Sequence, residues 1–387
     1  MILIMKCYLV FTLLFLGSCY HKDDSRNILY VDAVFKVDVP APTSDKPQSK
    51  IWYSNGVWHT ILPTSSGPTL WQRELDGWVK NDRISDLLQD RPGKADVFHQ
   101  DGVVMAVLVG DCELQIIDLT LEKPSIVSIP IPDNCSAIET ATITQDNSGV
   151  WWVAADMNTS ILVWGSSNGI DWEEPYLLAD DVNEDDICVI AKLPEHISVI
   201  WSNQNNQSIF ESIHYDKDSL KVWSNPITVQ QGNYNADDHL NTTLLENGTL
   251  MVISKNSLDK IDSPQFVLRA RQTSGIWNNF PIIDLTTKEM PTRPVITRSS
   301  SGEIITAYAV KNVEPKDFHI SIAQIKKQSD SWLAIEKLKI KARKDSKVNN
   351  VTVSKEPLPE NAPWIILFSD DQGFVYEFDL KEVQTLF

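Results

Sequence analysis

Asn55-Gly56-Val57-Trp58-His59 joins a dipeptide typical of tight β-turns to an apolar segment with the character of a strand. Five apolar strands along the chain follow a dipeptide of this kind: Asn55-Gly56, Asp101-Gly102, Ser148-Gly149, Asn247-Gly248 and Ser301-Gly302. Two more strands, at residues 197–199 and 364–366, follow Glu195-His196 and Ala362-Pro363 instead. The chain therefore contains seven similar units, and a further strand follows each of them.

Repeats of short strands, spaced by roughly 46 to 60 residues, are typical of the blades of a β-propeller. No long stretch has the i, i+3, i+4 apolar spacing of a helix. The sequence thus predicts an all-β chain that folds as a seven-bladed β-propeller. Residues 28–37 form an extra strand ahead of the first unit, and we expect it to supply the outer strand of blade seven and to close the ring, which removes free sheet edges.

The N-terminus predicts the location of the protein. Residues 1–18 have one charge, Lys6, followed by an apolar run too short to span a bilayer, as in a signal peptide. Leu16-Gly17-Ser18-Cys19 resembles the bacterial lipobox, which predicts lipidation of Cys19; a conventional secretory signal is the alternative. Residues 19–27 would then be a tether and residues 28–387 the propeller domain. The residue after Cys19 is Tyr20 and not the Asp that signals retention in the inner membrane. We therefore expect an anchor in the outer membrane, with the protein facing either the periplasm or the surface.

Composition restricts the partners. The 387 residues carry a net charge of −18, which repels phosphate backbones and excludes nucleic acid as a ligand. We expect a monomer that contacts the membrane through its lipid only. Three cysteines remain, Cys112, Cys135 and Cys188, and the first two are the more local pair. Two alternatives stay open: a disulfide between Cys112 and Cys135, or three unbridged thiols.

Ser166-Ser167-Asn168-Gly169-Ile170-Asp171-Trp172 resembles the Asp-box hairpin of sialidase-like propellers, shortened by one residue and with Asn in place of Asp. Asn168 would hold the turn amides and Trp172 would pack between blades. Further segments, between about residue 49 and about residue 325, resemble a family of bacterial sialidase-like propellers that are mostly of unassigned function: 94–97, 101–102, 201–204, 236–241, 254–257 and 292–294. The resemblance implies the fold and leaves the reaction open.

In a propeller the first strand of each blade lines the central channel, and its leading end lies near the usual ligand face. Polar residues occupy all seven predicted leading ends: Lys50, Asp96, Glu139, Asp185 with Asp186, Asp237 with Asp238 and His239, Arg293, and Asn349 with Asn350. A functional site and an ordinary solvated ring both fit this pattern. Asp237-Asp238-His239 is the most specific element of this pattern. His239 is suited to act as a general acid or base, or to ligate a metal together with Asp237. In the structural alternative, Asp238 caps the strand and His239 packs between blades.

Three functions compete. A sialidase is disfavoured, because it needs an arginine triad and only Arg293 stands at a leading end. A polysaccharide lyase fits better, since lyases of ulvan-type polysaccharides include seven-bladed propellers; His239 would be the base, Tyr234 the acid, and Arg293 and Lys255 would neutralise a uronate. Such lyases carry further cleft histidines, for which His59 and His99 are the candidates. The third function is non-catalytic binding of a glycan or an envelope protein.

We therefore predict a glycan-handling envelope lipoprotein, with lyase and binder both open. The predicted substrate-binding residues are Asp96, Asp186, Trp201, Asn203, Gln204, Asp237 and Asp238. Trp201 would stack on a sugar while Asn203 and Gln204 donate hydrogen bonds, although a Trp at this place is as easily part of the core. We expect no metal or other cofactor, with calcium as the open exception.

Overall fold

The computed structural model describes residues 28–120, 123–314, 316–343 and 346–381, and it is almost entirely β. Its strands form seven sheets, which confirms the predicted seven-bladed propeller. The signal peptide, Cys19 and the tether lie outside the described residues. No helix within the described ranges is long and apolar enough to cross a membrane.

The chain begins with two short strands, β1 (Ile28–Val31) and β2 (Ala33–Lys36), and then forms the blades in order. Blades one to three are four-stranded antiparallel sheets. Blade one consists of β3 (Ile51–Ser54), β4 (Val57–Thr64), β5 (Gly67–Glu74) and β6 (Gly77–Lys80), and helix α1 (Asp82–Leu87) follows it. Blade two consists of β7 (Lys94–Gln100), β8 (Val103–Gly110), β9 (Glu113–Asp118) and β10 (Ser125–Ser128), and blade three of β11 (Ala141–Gln145), β12 (Trp151–Met157), β13 (Ser160–Ser166) and β14 (Tyr176–Ala179). Blades four and five have the same arrangement: β15 (Cys188–Lys192), β16 (His196–Asn203), β17 (Ser208–Tyr215), β18 (Ile227–Gln231); and β19 (Leu240–Leu244), β20 (Leu250–Lys255), β21 (Pro264–Arg271), β22 (Trp277–Asp284). Blades six and seven use the remaining strands: β23 (Glu289–Arg298), β24 (Ile304–Asn312), β25 (Asp317–Gln328), β26 (Ser331–Ala342); and β27 (Asn349–Thr352), β28 (Ile365–Ser369), β29 (Phe374–Asp379).

The N-terminal strands close the ring. β2 pairs antiparallel with β29 and becomes the outer strand of blade seven, as the sequence predicted. The predicted single strand is in fact two, because β1 separates from β2 at Asp32 and pairs in parallel with β26 as a fifth strand of blade six. Residues 37–50, which we call the strap, then lead from β2 to the inner strand β3 of blade one.

The hydrophobic core lies between neighbouring blades rather than in one central mass. Each cluster joins apolar side chains of adjacent sheets, and four tryptophans are fully buried in them: Trp58, Trp152, Trp164 and Trp201. Large aromatic rings suit this position, because they fill the wedge between two twisted sheets and bury much apolar area. The recurring tryptophans of the sequence are therefore packing elements of the ring.

The Asp-box-like segment forms the turn between β13 and β14 with the predicted hydrogen bonds. Oδ1 of Asn168 accepts from the amides of Ile170 (2.9 Å) and Asp171 (2.8 Å). Trp172 packs against the cluster between blades two and three. Asn therefore replaces Asp here without loss of the turn contacts.

A disulfide joins Cys112 to Cys135, which decides between the two alternatives that the sequence left open. Cys112 lies in the turn between β8 and β9, and Cys135 in the connection from blade two to blade three. Cys188 is a buried free thiol at the start of β15.

Candidate functional site

The inner strands β3, β7, β11, β15, β19, β23 and β27 adjoin one another around the central channel. We call the end where these strands begin the leading-end mouth and the other end the trailing-end mouth. The predicted site residues were assigned to the leading-end mouth, and most of them do lie there. The two mouths differ in what fills them.

The strap closes the leading-end mouth. Its Lys46 ammonium forms ion pairs with Glu139 (3.3 Å), with Asp185 (4.0 Å) and with Asp238, which belong to three successive blades. Only 15% of the Lys46 side chain is exposed. Thr43 of the strap also donates a 2.5 Å hydrogen bond to the carbonyl of Asn350 at the start of blade seven. The strap therefore ties the leading ends of four blades to one another.

His239 is buried behind this closure, and its ring orientation is fixed. Nδ1 lies 2.6 Å from Oδ1 of Asp237 and 2.5 Å from Oδ1 of Asp238. Burial lowers the pKa of His239 to about 4, against the opposing attraction of Asp237, so the ring is neutral at pH 7. Since carboxylates only accept hydrogen bonds, the proton is held on Nδ1 and Nε2 carries the free lone pair. Nε2 is buried and has no hydrogen-bond partner among the described residues.

The gap beside His239 is small. A gap of about 10 Å³ is lined by His239, Arg293 and Asn350 together with Thr43 to Lys46 of the strap. A sugar ring cannot enter a gap of that volume, since ligand sites commonly enclose hundreds of cubic ångströms. The imidazole is thus chemically arranged as a base but is not open to a polysaccharide in this structure.

The other three predicted catalytic residues are only partly assembled around it. Arg293, in a bulge of β23 with φ +54°, lines the same gap, and burial lowers the pKa of its guanidinium. Lys255 lies 2.7 Å from Oδ2 of Asp237. Burial opposes ionisation of Asp237, but its hydrogen bonds to His239 and Lys255 outweigh that cost and lower its pKa. Tyr234 is 49% exposed and makes no described side-chain contact with His239.

Several predicted substrate-binding residues have structural contacts instead. Trp201 is 1% exposed and stacks on Phe210 in the core between blades, so it offers no platform for a sugar. Asp96 is fully buried, accepts from the amides of Ser49 (2.7 Å) and Ile143 (2.8 Å), and pairs with Lys355. These interactions join blades one, two, three and seven, and they leave the carboxylate no capacity for a ligand.

Asp186 and Asn203 hold the turns of blade four, whereas Nε2 of Gln204 is buried and has no hydrogen-bond partner among the described residues. Oδ2 of Asp186 accepts from the amides of Asn183 and Gln204, each at 2.8 Å. Asn203 donates to the carbonyl of Asp181 (3.3 Å) and accepts from the amide of Asn206 (3.2 Å). Their polarity serves the local backbone, because turn amides buried near the channel need acceptors.

Among the described residues, two groups of side chains have the donor spacing of a metal site: Asp237, Asp238 and His239; and Glu139, Asp185 and Asp238. Ammonium groups already neutralise both, Lys255 at the first group and Lys46 at the second. His239 also directs Nδ1 with its proton at the carboxylates, which is incompatible with ligation through that atom. The residues present therefore do not fit a metal without displacement of a lysine.

The trailing-end mouth, by contrast, is open. A cavity of about 610 Å³ extends between the ends of the inner strands of blades two to six and the loop after β27. Its cationic lining residues are Lys192 at the end of β15, Arg298 at the end of β23, and Lys355. Sequence reasoning missed this site because it considered only the leading ends of the strands.

Lys192 is the cation best able to meet a ligand here. Its Nζ donates to the neutral amide oxygen of Gln100 (3.1 Å), whereas Lys355 is paired with buried Asp96 and Arg298 with Glu246 (3.3 Å). Glu356 lines the same cavity, and burial raises its pKa to about 7. The cavity is consequently more positive in mildly acidic solution than in mildly alkaline solution.

The two further candidate histidines do not join His239. His99 lines the trailing-end cavity. His59 lies in a separate cavity of about 160 Å³ between blades one and two, where its Nε2 is 3.1 Å from Nε2 of Gln72. The expected cluster of cleft histidines is therefore not formed.

Neither a protein-family model nor a curated protein matches the sequence. Among solved structures the chain is similar to a polysaccharide lyase of family PL25, an ulvan lyase, with 9% identity and a TM-score of 0.56 over 91% of this chain and 99% of that chain. The same values apply to the PL25 ulvan lyase bound to -[GlcA(1-4)Rha3S]-. An α-L-arabinanase of Penicillium chrysogenum, complexed with arabinobiose, has 12% identity and a TM-score of 0.44 over 92% of this chain and 99% of that chain. The similarity to the ulvan lyase confirms the propeller fold, and the sialidase-like family stays a prediction.

Proposed function

We propose that this protein is a lipid-anchored envelope propeller that binds an acidic glycan, carrying uronate or sulfate groups, in the trailing-end cavity. The observation that supports this most directly is the charge of that cavity. Three cations, Lys192, Arg298 and Lys355, and two acids, Asp101 and Glu356, line it. The lining therefore has an excess of cations in a chain whose net charge is −18. Carboxylates and sulfates are the groups that such side chains hold by charge-assisted hydrogen bonds.

The size of the cavity agrees with a saccharide ligand. About 610 Å³ falls within the range of small-molecule sites and is large enough for one or two sugar rings. The PL25 ulvan lyase of the same fold is bound to a disaccharide repeat that contains glucuronate and sulfated rhamnose, which makes acidic saccharides the natural first probes.

Elimination at the leading-end mouth is the second candidate function. It is favoured by one observation: Nε2 of His239 has no hydrogen-bond partner among the described residues, and His239 lines the same gap as Arg293. It would require the strap to move, because Lys46 and Thr43 occupy the approach to that gap. Binding at the open mouth needs no such rearrangement, and we therefore prefer it.

A titration panel tests the proposal. The unlipidated mature chain would be titrated calorimetrically with uronate-containing, sulfated and neutral oligosaccharides, while absorbance is followed for unsaturated uronates. We expect saturable binding of acidic members, none of neutral members, and no rise in absorbance. A rise in absorbance that His239→Ala abolishes would instead establish the lyase, and no binding of any glycan would contradict both functions.

The anchor has its own test. Lipidation of Cys19 predicts that the protein partitions into the detergent phase and that Cys19→Ser shifts it to the aqueous phase. Retention of the Cys19→Ser variant in the detergent phase would contradict lipidation at this residue.

A further inference from the structure

The charge of this acidic protein is distributed unevenly around its ring. Residues 124–191 contain twelve Asp or Glu residues and no Lys or Arg. Residues 311–347 contain ten Lys or Arg residues and five acidic ones. The first segment includes the whole of blade three, and the second includes the two outer strands β25 and β26 of blade six, three blades away. One side of the disc is therefore basic and the opposite side is acidic.

The basic side also exposes apolar side chains. Lys326 and Lys327 are exposed at the end of β25, and Lys326 lies opposite Leu333 in the β25–β26 register. Leu333 and Ile335 are each 40% exposed. We call these four residues, together with Leu29 and Tyr30 of β1, the basic edge.

Part of the nearby positive charge is already compensated. Lys339 pairs with Glu289 (2.6 Å) and Lys341 pairs with Asp317. Arg343 pairs with Asp32 at 2.9 Å, but both side chains are more than half exposed, and pairs of that kind contribute little. Lys326 and Lys327 are exposed charges of this region that these ion pairs do not compensate.

The position of the N-terminus identifies the occupant of this surface. β1, the first described strand, lies along β26, and Leu29 and Tyr30 on it are 39% and 53% exposed. Cys19 precedes Ile28 by nine residues, which span at most about 30 Å when fully extended. A lipid on Cys19 would thus hold the basic edge, and not the acidic side, within reach of the bilayer.

We infer that the basic edge lies against an anionic lipid surface and orients the propeller on the membrane. Lysines attract anionic headgroups, while Leu, Ile and Tyr side chains are suited to the interfacial region. The acidic blade three would point away because like charges repel it. The membrane, which the sequence assigned to the lipid alone, would then also contact the folded body.

Vesicle sedimentation tests this without the lipid. The chain from residue 20 retains all seven sheets, and circular dichroism would verify its fold. It would be sedimented with vesicles of phosphatidylglycerol and phosphatidylcholine, and with vesicles of phosphatidylcholine alone, at low and high salt. We expect binding to the anionic vesicles only, weakened by salt. Without such an edge, they should repel this chain, because the full sequence has a net charge of −18 and removal of residues 1–19 takes away only Lys6.

Two double variants make the test specific. Lys326→Glu with Lys327→Glu should lower the affinity for anionic vesicles by about tenfold or more. Lys217→Glu with Lys260→Glu changes the net charge equally at exposed positions of blades four and five and should have a much smaller effect. Equal losses in both variants, absence of sedimentation with anionic vesicles, or equal binding to neutral vesicles would each overturn the inference. Glycan binding is measured without vesicles, so failure of one proposal is distinguishable from failure of the other.

Discussion

Single residues at the two channel mouths decide which mouth is available to a ligand. Lys46 comes from an aperiodic segment, and nothing in its sequence surroundings indicates that its ammonium meets acids of three blades. The sequence did predict that Glu139, Asp185 and Asp238 lie at one mouth, because each stands at the leading end of an inner strand. It could not predict the cation among them, since the path of a loop is not encoded in strand periodicity.

Lys46→Gln should destabilise the fold by about 2–3 kcal/mol, because it leaves three carboxylates facing one another near the channel. Lys80→Gln is the matched control, since Lys80 is 41% exposed and its pair with Asp82 (3.4 Å) is solvated; it should cost less than about 1 kcal/mol. Urea denaturation of both variants measures the difference. Equal stabilities would show that the strap does not depend on this ammonium.

Protonation of Glu356 should make the affinity of the cavity for an acidic glycan depend on pH. Burial raises its pKa to about 7, and its charged neighbours are Lys355, Lys192, Asp96 and Arg298. Protonation of Glu356 removes a negative charge from the cavity, so affinity for an acidic saccharide should rise severalfold as the pH falls from 8 to 6. Burial lowers the pKa of His99, the histidine that lines the same cavity. Calorimetric titrations should show a flat profile for Glu356→Gln; an unchanged slope would assign the dependence to another group.

At the scale of strands and turns, most of the fold could be predicted from the sequence. Tight-turn dipeptides followed by apolar segments located five of the seven blades, and the apolar segments at residues 197–199 and 364–366 located the other two. Asn55 and Gly56 have the positive φ angles that such turns need (51° and 81°). The separation of β1 from β2 could not be predicted, because the apolar pattern continues across Asp32. Trp201 shows the same limit within the site, since an aromatic residue near a strand end fits a sugar platform and the core equally well.

A substitution at Gly373 tests how the strap contacts blade seven. It has φ +82°, and a Cβ at this position would meet the carbonyl oxygens of Val37 and Val39. Gly373→Ala should therefore destabilise the protein by about 2–4 kcal/mol, from strain and overlap together. Gly56→Ala is the control, with φ +81° and nothing near the added methyl, and should cost about 1 kcal/mol. Thermal unfolding of the two variants compares them, and equal costs would contradict the close approach of the strap.

The whole molecule should lose stability in acid. Burial lowers the pKa of His59, His196, His239 and His319 to about 4, from 6.5 in the unfolded chain. Between these values the four rings bind more protons in the unfolded state than in the folded state, so their contribution to stability falls as the pH decreases from about 6.5 towards 4. The pKa values of Asp156 and Glu356, which burial raises to about 6 and about 7, offset part of that fall. Urea midpoints measured across that range should decrease, and a midpoint that rises towards pH 4 would contradict the burial of these rings.

The central claim concerns the whole channel: its trailing-end mouth, rather than its leading-end mouth, holds an acidic glycan. The decisive measurement is the calorimetric affinity of the wild type, Lys192→Gln and Arg293→Gln for one sulfated or uronate-containing oligosaccharide. Loss of a charge-assisted hydrogen bond predicts about a tenfold or greater decrease for Lys192→Gln and wild-type affinity for Arg293→Gln. A decrease in affinity confined to Arg293→Gln would contradict the claim and would place the glycan site at the leading-end mouth around His239.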